Sequence, residues 1–146
     1  MQTKYFSPSV NILRDKNNEQ TYIPTRNAEK AFRKITAAFS HGTKSFNIIG
    51  AYGSGKSAFI LALEKVLNNK AEYFSNPFDG TYTAFDSSFI VGSYTSFKQA
   101  FCDFFELENN KDIFSELRKV ISEKAKSKIG QLIVVDEFGK FLEYAA

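Results

Sequence analysis

The chain has 146 residues, 43% of them hydrophobic, enough for one domain with its own core, and its net charge of +3 is spread along the sequence rather than gathered in a block. With a pI near 8.9, that mild excess does not by itself call for a polyanionic partner, and nucleic acid gains no support from it. The single cysteine, Cys102, excludes an internal disulfide, no apolar run approaches the roughly 20 residues needed to cross a bilayer, and Met1 to Asp15 carries no leader pattern, so the expected setting is cytoplasmic and membrane-free.

Residues 1–20 read as a polar lead-in whose one apolar patch, Val10, Ile12 and Leu13, suits an edge strand or an extended arm. After Pro24, the positions Ala28, Ala31, Phe32, Ile35 and Phe39 recur at helical spacing, with Thr25 or Asn27 as N-cap, Ser40 as the last helical residue and His41-Gly42 as the stop. Ser45 to Ile49 reads as a short strand. From Lys56, the residues Phe59, Ile60, Leu63, Val66 and Leu67 describe a second helix that ends at Asn68-Asn69. Asn76-Pro77 and Asp79-Gly80 are turn chemistry, with a small hairpin expected through Thr81 to Phe85. Ser88 to Tyr94 follows as a buried strand. Ser96 and Gln99 make a capping box ahead of Phe97, Phe101, Phe104 and Phe105. A further helix over residues 111–128 turns Ile113, Leu117, Val120, Ile121 and Ala125 inward and Arg118, Lys119, Glu123, Lys124 and Lys126 outward. Leu132 to Val135 is apolar on both faces, as a central parallel strand must be. Most of the 16 Phe fall at core-like spacings, so they read as packing rather than as a base-stacking surface.

The chemistry begins at Gly50-Ala51-Tyr52-Gly53-Ser54-Gly55-Lys56-Ser57, which satisfies G-x-x-x-x-G-K-[ST] between an expected strand and an amphipathic helix. Glycines let the backbone wrap phosphate oxygens and aim amides inward, and the following helix, with Ala58 in its first turn, offers its positive end to the same anion. Lys56 would reach the β- and γ-phosphates of ATP, and the Ser57 hydroxyl would ligate Mg²⁺. The second constellation is Leu132-Ile133-Val134-Val135-Asp136-Glu137, an apolar strand ending in two carboxylates. Asp136 would face the metal, and Glu137 would orient and deprotonate the attacking water. Cys102, beside Phe101, reads as packing, His41 as a solvated cap, and the basic residues between Arg118 and Lys128 as a solvated face. Tyr52 either leans on the nucleotide or covers the loop.

Together these motifs resemble the P-loop ATPases that carry an extra strand between the Walker A and Walker B strands and a glutamate after the Walker B aspartate, the AAA+ and STAND ATPases. The resemblance covers residues 21–143 and is nearest the origin-recognition type, where a short proline-containing segment and one helix precede the P-loop strand. Tyr22-Ile23-Pro24-Thr25-Arg26 is similar to that segment, which implies that Ile23 lies near the adenine. The run Asp136 to Glu143 also resembles large prokaryotic ATPases from phage-defence and DNA-processing loci. The fold implied is α/β, a three-layer P-loop sandwich around a parallel sheet, with a lead-in at 1–20 and an incomplete domain at 21–146, truncated after the Walker B strand. The missing fourth strand would stand between the P-loop and Walker B strands, so Ser45 to Ile49 would lack its normal neighbours. Hydrolysis of ATP to ADP and phosphate is then expected of the complete protein and only weakly of this chain, with further domains or a homo-oligomer as partners. A nucleotide-dependent switch is the main alternative. A small-molecule kinase is disfavoured by Glu137 directly after Asp136, and an ABC-type ATPase by the lack of an L-S-G-G-Q-like segment before Leu132.

Overall fold

The computed structural model describes residues 10–18, 21–78, 81–108 and 112–146. The expected turn at Asp79-Gly80, the lead-in residues 1–9 and 19–20, and the expected helix start at Lys111 lie outside the described residues. Among those described, the chain is mixed α/β, with six helices and a two-stranded parallel sheet. None of these helices is long and apolar enough to cross a membrane. Contacts cluster in two compact units, Met1–Asp79 and Gly80–Ala146.

In the first unit the apolar patch of the lead-in is a helical turn, α1 (Ile12–Asp15), rather than a strand or an arm. Side chains close that turn: Asn11 Oδ1 accepts from the amides of Leu13 and Arg14 at 3.1 and 3.0 Å, and Asp15 accepts from Asn11 N at 2.9 Å. Arg14 grips the same carboxylate through Nε and Nη2, each at 2.7 Å, which holds Asp15 down at a pKa of about 2. Helix α2 (Arg26–Ser40) starts at Thr25, whose hydroxyl accepts from Ala28 N, and stops at His41 before Gly42 at φ +99°.

Helix α3 (Lys56–Leu67) buries Phe59, Leu61, Ala62, Leu63, Val66 and Leu67, so it is a core helix, apolar nearly all round. Its one buried acid, Glu64, is satisfied by Lys70 at 3.2 Å and by Asn68 Nδ2 at 2.8 Å. Phe74 gathers the core aromatics, stacking on Phe32 at 4.6 Å and meeting Phe59 and Tyr22 edge-on at 6.2 and 6.1 Å. Burying one such side chain stabilises by about 1.5–3 kcal/mol, so these rings dominate the unit's core.

The expected strand at Ser45 to Ile49 does not form. Residues 43–50 run without a ladder, and Ile49 is 94% exposed. A strand needs a hydrogen-bonded neighbour, which local apolar content does not provide.

The second unit is built on β1 (Ala84–Val91) and β2 (Ile129–Asp136), paired in parallel from Ala84↔Ile129 to Val91↔Asp136. Both strands begin before their expected starts at Ser88 and Leu132. The ladder recruits polar Asp86, Ser87 and Gln131, which apolar patterning passes over, and Thr83 N donates to Lys128 O at 2.9 Å where a hairpin had been expected. The sheet has two strands, and Leu132, Ile133 and Val135 are only half-buried, so β2 is not the doubly covered central strand its sequence suggests.

A parallel pair requires a long crossover, supplied here by α4 (Phe97–Phe105) and α5 (Ile113–Lys126). Ser96 caps α4 as expected, through Gln99 N at 3.1 Å, but the Gln99 side chain turns to Asp103 instead of completing a capping box. On α5, Ile113 is buried, yet Val120 and Ala125 are exposed, against expectation, and Lys124 bends to the sheet to pair with Asp86. A carboxylate on the covered sheet draws the lysine there. Gly130 faces Phe85 across the ladder, and a Cβ at Gly130 would fall 2.4 Å from that ring. Helix α6 (Gly139–Ala145) follows β2 and buries Phe141, whose ring meets Phe97 at 5.4 Å.

Candidate functional site

The sequence places Gly50 to Ser57 at the entry to α3, and the structure gives that loop a specific bend. Gly53 and Gly55 sit at φ +75° and +81°, which side-chain-bearing residues rarely adopt, so these two glycines allow the turn. Ser54 N donates to Ala51 O at 3.2 Å. Lys56 folds back over its own loop, its ammonium donating to the carbonyls of Gly50 and Ala51 at 2.9 Å each. Gly55 is the N-cap of α3 and offers no side-chain acceptor to the helix amides. The first amides of a helix have no intrahelical acceptor and carry the positive end of its dipole, so this end suits an anion.

Ser57 and Ala58 occupy the first turn, half-buried. Tyr52 is 100% exposed, so it does not cover the loop, and Ile23 is 72% exposed in the segment ahead of α2. Two grooves of this unit, about 490 and 410 Å³, are bounded by α2, the end of α3 and residues 71–77, and neither is lined by a residue of the Gly50 to Ser57 loop.

In the second unit, β2 delivers Asp136 and Glu137. Asp136 is half-buried, and its Oδ1 accepts from Glu137 N at 3.0 Å. Glu137 is exposed and sits at φ +51°, a left-handed conformation that costs a residue with a side chain on the order of 1–2 kcal/mol. The other such residues, Asn69, Glu106 and Lys128, end helices, where this conformation is customary. Glu137 instead joins a strand to a helix. Its carbonyl accepts from Lys140 N at 3.0 Å, and its carboxylate pairs with the Lys140 ammonium. That hydrogen bond, reinforced by the charge of Glu137, holds the Lys140 ammonium above its ordinary pKa.

Two residues of this site escaped sequence reasoning, Lys140 and Gly92. Gly92 N donates to Asp136 O at 2.8 Å, and a Cβ at Gly92 would lie 2.1 Å from Glu137 O and 2.9 Å from Glu137 C. The signal was available in the sequence, since a glycine inside a strand pattern marks a close backbone approach; the reading of a strand through to Tyr94 ran over it. Lys140 was legible as an acid–base pair at i,i+3.

Among the described residues no group of three or more His, Cys, Asp or Glu gathers to hold a metal.

No family model, curated protein or solved structure matches this chain.

Proposed function

We propose that this chain is an ATP·Mg²⁺-binding P-loop module which, as part of a complete three-layer sandwich, hydrolyses ATP to ADP and phosphate in the manner of the AAA+ and STAND ATPases. The observation that carries the reading is the loop at Gly50 to Ser57, bent at two left-handed glycines onto an uncapped helix start with Lys56 folded across it. In this reading the amides of Gly53 to Ala58 and the ammonium of Lys56 take the phosphates, and Ser57 and Asp136 serve the Mg²⁺, which neutralises phosphate charge. Glu137 accepts the proton of the attacking water, and Ile23 lies against the adenine. The parallel pairing of β1 with β2 supports the sandwich, because that fold is built around a parallel sheet whose Walker B strand, like β2, ends at the acidic pair.

A nucleotide-dependent switch is the second reading. The ion pair between Glu137 and Lys140 favours it, since a carboxylate committed to a neighbour is a weaker base for water.

Calorimetry with ATP·Mg²⁺ on wild type and Lys56→Ala tests the module. Loss of a charge-assisted contact worth about 1.5–3 kcal/mol predicts affinity lower by about 10- to 100-fold with the fold intact, because Lys56 is only half-buried. Unchanged affinity removes Lys56 from the site and the reading with it.

A further inference from the structure

We infer that Gly92 is the positioning residue that sets the catalytic orientation of Glu137, an inference that rests on the ATPase reading above. The end of β1 and the Glu137 peptide approach more closely than any side chain permits. Gly92 N holds Asp136 O at 2.8 Å, and the space a Cβ would fill at Gly92 is taken by the Glu137 carbonyl, 2.1 Å away. Both colliding atoms of Glu137 are backbone, so no rotamer change relieves the contact.

The same carbonyl accepts from Lys140 N, in the first turn of α6, and Glu137 itself stands at φ +51°. Its peptide is therefore bounded on one side by Gly92 and on the other by the first turn of α6. This packing holds Glu137 in a conformation its own side chain disfavours, and the conformation sets the direction in which the carboxylate leaves the chain. A methyl group at position 92 forces the peptide away by about 1 Å to restore normal contact. A misplacement of that size costs about 10- to 100-fold in rate when it reaches a group that must meet a water and its proton in line. Phosphate binding, carried by the loop of the other unit, is left alone. Gly92 touches no reacting atom and acts only through Glu137.

The test uses the 146-residue chain. Single-turnover hydrolysis of γ-labelled ATP and calorimetric ATP·Mg²⁺ affinity are measured for wild type, Gly92→Ala and Gly92→Val, and backbone amide resonances are compared without nucleotide. The expected result is hydrolysis slower by about 10- to 100-fold for alanine and slower again for valine, ATP affinity within about twofold of wild type, and shifted amide resonances at Glu137 and Lys140. Wild-type hydrolysis by Gly92→Ala overturns this inference and leaves the ATPase reading standing. A wild-type chain that binds ATP with no single-turnover hydrolysis overturns this inference and favours the nucleotide-dependent switch. If Gly92→Ala loses its cooperative melt, the double variant Gly92→Ala/Glu137→Gly decides. A recovered melt locates the collision at the peptide of residue 137 as inferred, since glycine there lets the chain yield, and no recovery overturns the inference.

Discussion

Lys56 already donates to two carbonyls of its own loop, so in the ATPase reading a triphosphate must draw the ammonium from Gly50 and Ala51 before it gains the charge. The two acids differ in their surroundings in the same residue-specific way. Asp136 is half-buried and receives an amide hydrogen bond from Glu137, whereas Glu137 is exposed and turned to Lys140. In the ATPase reading, Glu137→Gln keeps ATP·Mg²⁺ affinity and loses turnover, because an amide has no basic oxygen for the water proton. Asp136→Asn weakens the Mg²⁺-dependent part of binding as well. Calorimetry with and without Mg²⁺, beside single-turnover hydrolysis, separates the two phenotypes. Equal turnover in wild type and Glu137→Gln would favour the switch. The loop glycines, Lys56, Ser57 and the two acids were singled out because each belongs to a pattern of a few adjacent positions. Gly92 was not, because its reason is a peptide 45 positions later in the chain, brought to it only by the register of β1 and β2.

At the scale of elements, helices were read well because caps and periodicity are written in adjacent residues. Thr25, Ser96 and the stop at His41-Gly42 all serve as their types suggest. Strands were read less well, since a ladder is decided by a partner: Asp86 and Gln131 joined β1 and β2, while apolar Ser45 to Ile49 joined nothing among the described residues. Helix α1 was missed because four residues show no period, and its stability comes from Asn11 and Asp15. Those side chains make α1 sensitive to acid. Hydrogen bonding from Arg14, then from the Asn11 amide, lowers the Asp15 pKa to about 2, below the roughly 3.9 of an unfolded aspartate. The carboxylate therefore contributes stability that is complete above the unfolded value and is lost as pH falls through about 2. Methyl resonances of buried Ile12, followed from pH 5 to 2, should leave their native positions across the lower part of that range. An Asp15→Asn chain should show no such transition. A flat response in wild type would remove the carboxylate as the lock of α1.

For the molecule as a whole, charge and cysteine content matter more than any one element. The net charge of +3 at neutral pH is small for 146 residues, and Ile49, Phe114 and Leu142 are exposed at 94, 77 and 58%. Self-repulsion is what keeps such surfaces apart, and it vanishes at the pI near 8.9. Sedimentation at low salt should show the most self-association near that pH and less at pH 7, where the chain is cationic. A monotonic rise in association toward acid would refute a charge-controlled origin. What the sequence conveyed at this scale was a mixed α/β chain. The division of its contacts at residues 79 and 80 was not legible, because it depends on which side chains meet rather than on composition. The only thiol of the chain, Cys102, is 1% exposed in the core of the second unit. Alkylation at that sulfur must wait until the unit around α4 opens. One stoichiometric labelling clock is thus built into the wild-type chain, and it times the opening of the packing around α4.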